Sequence, residues 1–176
     1  MSRVFTCRCR RRGKIRICRI CSPAATETET VADQPFWERL TLAEMNKEQW
    51  ESLCDGCALC CLHKLEDEDT AEVYYTDVHC RYLQQPQCSC SVYQERQVKV
   101  PNCVWLTPEQ ASTFRWLPQS CAYRLLAEGK SLFDWHPLVS GDPDSVHTAG
   151  ISIRNKGIPD DQVDEHDWED HIIWKA

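Results

Sequence analysis

No stretch of this chain is apolar over anything near the roughly 20 residues that a membrane-spanning helix needs. A secretory signal is missing too. Residues 1–22 are basic, but Ile15, Ile17 and Ile20 are broken up by Arg16, Cys18 and Arg19, so no apolar h-region follows. The expected setting is therefore a reducing cytosol, with no membrane association. Glycine is scarce, and Gly13, Gly56, Gly129, Gly141, Gly150 and Gly157 never form G-x-G-x-x-G or a phosphate loop, which excludes the common nucleotide-binding motifs. No internal repeat is present. No Ser–His–Asp or Cys–His catalytic unit can be assigned from spacing.

Cysteine is abundant. The chain has 176 residues and 13 cysteines, and a body of this length can bury a core without staples. Disulfides belong to oxidising compartments, and an odd number of cysteines leaves one thiol unpaired in any fully oxidised scheme. In a reducing cytosol such thiols read as metal ligands or redox groups.

Charge divides the sequence. Residues 1–31 hold eight Arg/Lys and two Glu, whereas residues 32–176 hold 12 Arg/Lys and 25 Asp/Glu. The basic segment, with Cys7, Cys9, Cys18 and Cys21, reads as a disordered tail. The composition break also fits a gene start called too early, with Val31 as a GTG codon. Residues 32–176 read as one domain, acidic enough to repel phosphate backbones, so no nucleic-acid partner is expected. No protein partner can be named.

Within that body, Thr41-Leu42-Ala43-Glu44 and Asn46-Lys47-Glu48-Gln49 fit capping boxes. The second starts a short helix that delivers Cys54 at its end. Val73-Tyr74-Tyr75-Thr76 is the best strand candidate. A helix is expected from Thr107 towards Trp116, and another from Cys121 to Glu128 with Gly129 as its stop. Ile151-Ser152-Ile153 alternates like an edge strand, and Asp164 to Trp174 reads as an acidic helix. Trp50, Trp105, Trp116 and Trp135 are assigned to the core, and the acidic run Glu66–Asp69 to a solvated loop. The fold expected is an α-rich α+β single domain with short strands and an irregular cysteine-rich metal-binding centre.

Nine cysteines fall between residues 54 and 121, and four of them lie within Cys54-Asp55-Gly56-Cys57-Ala58-Leu59-Cys60-Cys61. A C-x2-C turn brings two thiolates to one metal without straining the backbone, and zinc takes four such ligands at about 2.3 Å. Cys54, Cys57 and Cys60 make two such steps in series, closer to the three-cysteine arm of an iron–sulfur site than to the halves of a zinc ribbon. Gly56 relieves the turn. Adjacent side chains diverge, so Cys61 turns into the core, serves a second metal or bridges two. Cys80, Cys88, Cys90 and Cys103 supply closing ligands. Cys121, inside an apolar helix, reads as a buried thiol, and His63 and His79 as structural.

These motifs, with Cys88-Ser89-Cys90-Ser91-Val92-Tyr93 and Trp116-Leu117-Pro118-Gln119-Ser120-Cys121-Ala122-Tyr123-Arg124, resemble the YcgN-like family of bacterial proteins. That family lies within a broader group named for its CxxCxxCC motif, described as a zinc- or iron-chelating domain. The likeness spans about Asp33 to Trp174. It implies ligand roles for Cys54, Cys57, Cys60, Cys61, Cys80, Cys90 and Cys103, with Cys88 and Cys121 as features of the narrower family. The broader group includes enzymes similar to flagellin lysine methylase. Three functions follow as expectations: a metal site, zinc or iron–sulfur, that is structural or electron-transferring; a metal-dependent methylase-like or redox enzyme; or metal trafficking or sensing.

Overall fold

The computed structural model describes residues 34–176 except Ser112. The readings of residues 1–33, including the tail cysteines, lie outside this range. Pro35–Ala176 form one unit of mixed α and β structure.

The first layer is a group of short helices. α1 is Phe36–Arg39, a 3-10 turn covers Leu42–Glu44, and α2 is Lys47–Ser52. The capping box of α2 is reciprocal: Gln49 N–H donates to Asn46 Oδ1 at 2.9 Å, and Asn46 N–H donates to Gln49 Oε1 at 3.0 Å. At Thr41 the backbone N–H donates to the Glu44 carboxylate at 2.9 Å. Further along come α3 (Arg96–Lys99), α4 (Pro108–Ala111) and α5 (Ala122–Ala127). α5 ends on Gly129, whose positive φ of 68° lets Lys130 N–H reach back to the Leu125 carbonyl at 2.8 Å. Leu42, Leu53, Ala111, Ala122, Leu125 and Leu132 form the core of this layer.

The second layer is a four-stranded sheet. β1 (Leu62–Glu66) pairs antiparallel with β2 (Val73–His79). The loop between them holds the acidic run. Asp67 Oδ1 accepts the N–H groups of Asp69 and Thr70, so this carboxylate serves the turn. β2 is bonded on its other edge as well, and Tyr75, Thr76, Val78 and His79 are all buried. Two short ribbons share that edge: β5 (Ile158–Pro159), parallel, and β6 (Ile172–Lys175), antiparallel. Between Cys80 and Cys103 a small hairpin of β3 (Leu83–Gln84) and β4 (Ser89–Cys90) stands apart. α6 (Pro137–Ser140) and α7 (Ser145–Thr148) connect the layers.

Several details differ from the sequence reading. Among the described residues no α-helix is longer than six residues, and the sheet is the largest regular element, so the domain is mixed α+β rather than clearly α-rich. The acidic C-terminal segment is a 3-10 run over Glu165–His171 that passes into β6. Trp174 there stacks on Tyr75 at 5.1 Å, and that pairing overrides helical periodicity. Ile151–Ile153 makes no strand. It is held instead by Ile153 N–H donating to the Cys57 carbonyl at 3.1 Å. Of the four tryptophans assigned to the core, Trp105 is 56% exposed and lies under the Arg96 guanidinium.

Candidate metal centre

α2 ends at Leu53, which is fully buried, and so delivers the first cysteine loop from a fixed point. Asp55 then shapes the loop, its Oδ1 accepting Cys57 N–H at 2.9 Å. Gly56 takes a positive φ of 74°, as its lack of Cβ allows. Ala58 also adopts a left-handed φ of 60°, which costs a non-glycine residue about 1 kcal/mol. The strain is held by Cys61 N–H donating to the Ala58 carbonyl at 2.9 Å. The far end is joined to the sheet by Cys80 N–H, which donates to the Cys61 carbonyl at 3.0 Å, and His79 Nδ1–H supports it by donating to the Cys80 carbonyl at 3.0 Å.

Backbone N–H groups are aimed at several sulfurs. The amides of Gly56, Leu59 and Tyr82 act to lower the thiol pKa values of Cys54, Cys57 and Cys80, and those of Tyr123 and Arg124 act the same way on Cys121, although its side chain makes no cap hydrogen bond. Cys121 is the N-cap of α5, where unpaired amides converge. A neutral thiol is a weak acceptor and needs no such donors, whereas a thiolate is stabilised by them.

The thiols act on one another across the site. Cys54 feels Cys60 and Cys121, and Cys57 feels Cys60. Cys61 feels Cys80 and Cys103, and Cys103 feels Cys60, Cys90 and Cys80. The Cys61 S–H donated to Cys60 lowers the Cys60 pKa and raises its own. Burial first, and Asp55 next, hold Cys57 well above the ordinary thiol range. Burial pushes Cys121 up to about 11. Cys54 is pushed up to about 12 by dehydration and by Cys60. Cys54 and Cys60 are exposed at the surface, whereas Cys57 is buried. Thiols held this high stay protonated at neutral pH, and a metal taking them must displace those protons.

Lys64, on β1, sits beside Cys60, Cys61 and Cys103. Its ammonium donates to the carbonyls of Cys60 and Leu62 at 3.1 and 2.6 Å and lies over the Tyr75 and Trp116 rings at 4.7 and 4.8 Å. Burial lowers its pKa, while Cys60, Cys61 and Cys103 act to raise it. Among the described ion pairs it has no carboxylate partner.

Of the ligand set read from the sequence, Cys54, Cys57, Cys60 and Cys61 share one loop, Cys80 is bonded to its end, and Cys90 and Cys103 lie within electrostatic reach of Cys80. Cys88 stands apart. It is buried with φ of 51°, its S–H donates to the Gln85 carbonyl at 3.6 Å, and its charged neighbour is Arg154. Cys121, passed over in the sequence, lies beside Cys54 and Cys60, and its N-cap position is the signal that would have found it. His63 is engaged by Asp160 at 3.0 Å and stacks on Trp168 at 4.2 Å, so it is structural. Among the described residues no group of three or more His, Cys, Asp or Glu side chains is closed to metal-holding distance. The donors are gathered and served by amides rather than clasped, and their chemistry fits a thiophilic metal such as zinc or iron. A shallow groove of roughly 460 Å³ opens beside Cys54 and Asp55, with Asp144, His147 and Arg154 on its walls.

Among the described residues no helix is long and apolar enough to cross a membrane. No solved structure matches this chain. Residues 53–122 match the CxxCxxCC family model, described as "Putative zinc- or iron-chelating domain". A UPF0260 protein of Marinobacter nauticus is 57% identical over 143 residues, 81% of this chain and 97% of its own length. UPF0260 proteins of Cellvibrio japonicus and Ectopseudomonas mendocina are 55% and 54% identical over the same span of this chain. With identity at this level running through four-fifths of its residues, the chain belongs to the UPF0260 family.

Proposed function

We propose that this is a cytoplasmic metalloprotein whose clustered thiols hold zinc or an iron–sulfur cluster in a site that is structural or electron-transferring. The observation that carries the reading is the Cys54–Cys61 loop, turned at Gly56 and Ala58 and bonded through the Cys61 carbonyl to Cys80 N–H, which puts five cysteines on two adjoining segments. Thiolates presented this way are ligands for a thiophilic metal. Lys64 supports it, since its ammonium lies where thiolates at Cys60, Cys61 and Cys103 would favour the charged form. The family model supports the metal class.

The metal supplies charge to offset the thiolates and cross-links between distant segments. The protein's part is to present the sulfurs. Asp55 and Gly56 set the first turn, the end of β2 sets Cys80, and the start of α5 sets Cys121. The acidic body, with 25 Asp/Glu against 12 Arg/Lys over residues 32–176, favours no nucleic-acid partner.

The test is an absorption spectrum of the anaerobically purified full chain, with zinc, iron and acid-labile sulfide analysis. A broad band at the blue edge of the visible, with iron and sulfide together, makes it an iron–sulfur protein. A colourless chain with stoichiometric zinc makes the site structural. A chain carrying neither, and taking up neither on reconstitution, overturns the reading.

A further inference from the structure

We propose that the C-terminal strap, residues 165–175, is a releasable latch, and that a row of three side chains across the sheet, Lys64, Tyr75 and Trp174, carries its state to the cysteine loop. As regulation of a metal site this rests on the metalloprotein reading; the mechanical coupling does not.

The strap is held lightly. Its 3-10 run, Glu165–His171, contains no buried residue, and all four residues of β6 are exposed. A bulge between Trp174 and Ile172 interrupts the pairing with β2. Two polar ties fasten it, His171 Nδ1 to Asp77 Oδ1 at 2.7 Å and Lys175 to Glu72. Their side chains are 24% to 53% exposed, and ties that open to water hold little. A ring contact of Trp168 with His63 at 4.2 Å adds to them. Closing the strap also leaves Trp168 Nε1–H buried with no acceptor among the described residues, a donor that water satisfies once the strap lifts. Just upstream, Asp160 is clamped by Arg81 Nε at 2.7 Å and by His63 Nε2 at 3.0 Å, so the swing begins after that residue. A segment with so little burial opens at a lower free energy than the fold as a whole.

The row is set by register. Lys64 on β1 lies opposite Tyr75 on β2, and Tyr75 lies opposite Trp174 on β6, so the three share one face of the sheet. They touch in order. The Lys64 ammonium stands over the Tyr75 ring at 4.7 Å, and Trp174 stacks on that ring at 5.1 Å. Trp116 closes the inner end: Lys64 lies over its ring at 4.8 Å, and the Tyr75 hydroxyl donates to its carbonyl. The same ammonium donates to the carbonyls of Cys60 and Leu62, at the end of the cysteine loop. At the outer end Trp174 is 41% exposed, whereas Tyr75 beneath it is 1% exposed. Lifting the strap uncovers Tyr75 and lets water reach the face on which Lys64 rests. A cation held over aromatic rings is bound less strongly once water competes for it. Lys64 then releases the two loop carbonyls, and the loop loosens.

The test is hydrogen exchange, read by mass spectrometry on the full chain as purified, beside Trp174→Ala and Ile173→Ala. Ile173 falls in the bulge and outside the row, so its loss loosens the strap alone. In the unaltered chain β6 should exchange ahead of β1; exchange of the two in step overturns the latch. Both variants should speed exchange in β6. Only Trp174→Ala should also speed it over residues 58–62, by about fivefold or more. An unchanged loop in Trp174→Ala, or equal acceleration in both variants, overturns the row. Trp174→Phe keeps a ring over Tyr75 and should restore the loop. Coupling is reciprocal, so Lys64→Met, which cuts the row at its inner end, should speed exchange in β6; an unchanged β6 overturns the coupling even where Trp174→Ala does not fold. Metal loss to a chelator, followed on the same samples, should quicken with the loop. An unchanged rate beside a loosened loop overturns the regulatory role. A chain that holds no zinc or iron overturns the metalloprotein reading and that role with it, while the exchange result stands.

Discussion

Around Leu53 and Leu125 the chain buries leucines and alanines beneath short capped helices, whereas around Leu62 and Tyr75 the buried set includes Cys57 and Cys88 among Ala58, Leu59, Leu83, Val146 and Ile153. The first region is an ordinary apolar core whose stability comes from area removed from water. The second holds Cys57, Cys61 and Cys88, strained backbone at Ala58 and Cys88, and nearby ribbons of two residues at β3, β4 and β5. Elements that short close too little apolar surface to fix themselves. Thiolate–metal bonds supply what packing does not, and the comparison can be broken by attacking each region separately.

The largest effect is expected from removing the metal. Structural zinc contributes an apparent ~10–16 kcal/mol in small metallodomains. Chelation, or Cys57→Ser, should lower Tm sharply and release β1–β2 amides to hydrogen exchange first. The paired control is Leu42→Ala in the apolar core, which should cost about 2–3 kcal/mol with metal content unchanged. Equal metal loss in the two variants, or an unchanged Tm after full chelation, would merge the two regions into one.

The same division explains what the sequence disclosed. The capping box at Asn46, the glycine stop at Gly129 and the turn at Gly56 are local devices, readable because partner and residue lie within a few positions of each other. The serial cysteine steps were legible for the same reason. β1 was not. Leu62-His63-Lys64-Leu65-Glu66 carries no β-branched residue and is a strand because β2 needs a partner on that edge. The C-terminal segment carried a helical period and was turned into β6 by Tyr75, far back in the chain. Cys121 failed to stand out because its neighbours come from the far end of α2, a relation that spacing does not encode.

His136 sits at the seam of the two regions, with Trp135 packed on one core and Leu138 on the other. Its Nε2–H donates to the Leu53 carbonyl at 3.1 Å and its Nδ1 accepts Leu138 N–H at 3.1 Å, so the folded protein holds it neutral. Burial lowers its pKa from the ordinary histidine value of 6.5. The unfolded chain therefore takes up a proton first as pH falls. The associated stability is complete above the unfolded value and declines below it, at up to about 1.4 kcal/mol per pH unit, until the folded pKa is reached. His136→Asn keeps the cap acceptor for Leu138 and removes the titration. Its denaturation midpoint should fall less steeply between neutral pH and about pH 5 than that of the unaltered chain. Parallel curves would place the acid sensitivity in the thiols instead and leave the seam without a role of its own.

The smallest effect tests how far the helical region stands by itself. Asn46 closes the N-terminus of α2 through its reciprocal bonds with Gln49, both exposed, and such a cap is worth about 1 kcal/mol. Asn46→Ala should therefore lower chemical-denaturation stability by about that amount. α2 also carries Trp50, the anchor of Tyr123, and ends on Leu53, which precedes Cys54. If the metal fixes its own loop, the loss stays local and metal affinity is unchanged. If α2 positions Cys54 for the metal, fraying its first turn loosens the site as well. Asn46→Ala would then lose metal to a chelator faster than the unaltered chain. Equal rates of loss would place the organising role in the metal rather than in the helix that leads to it.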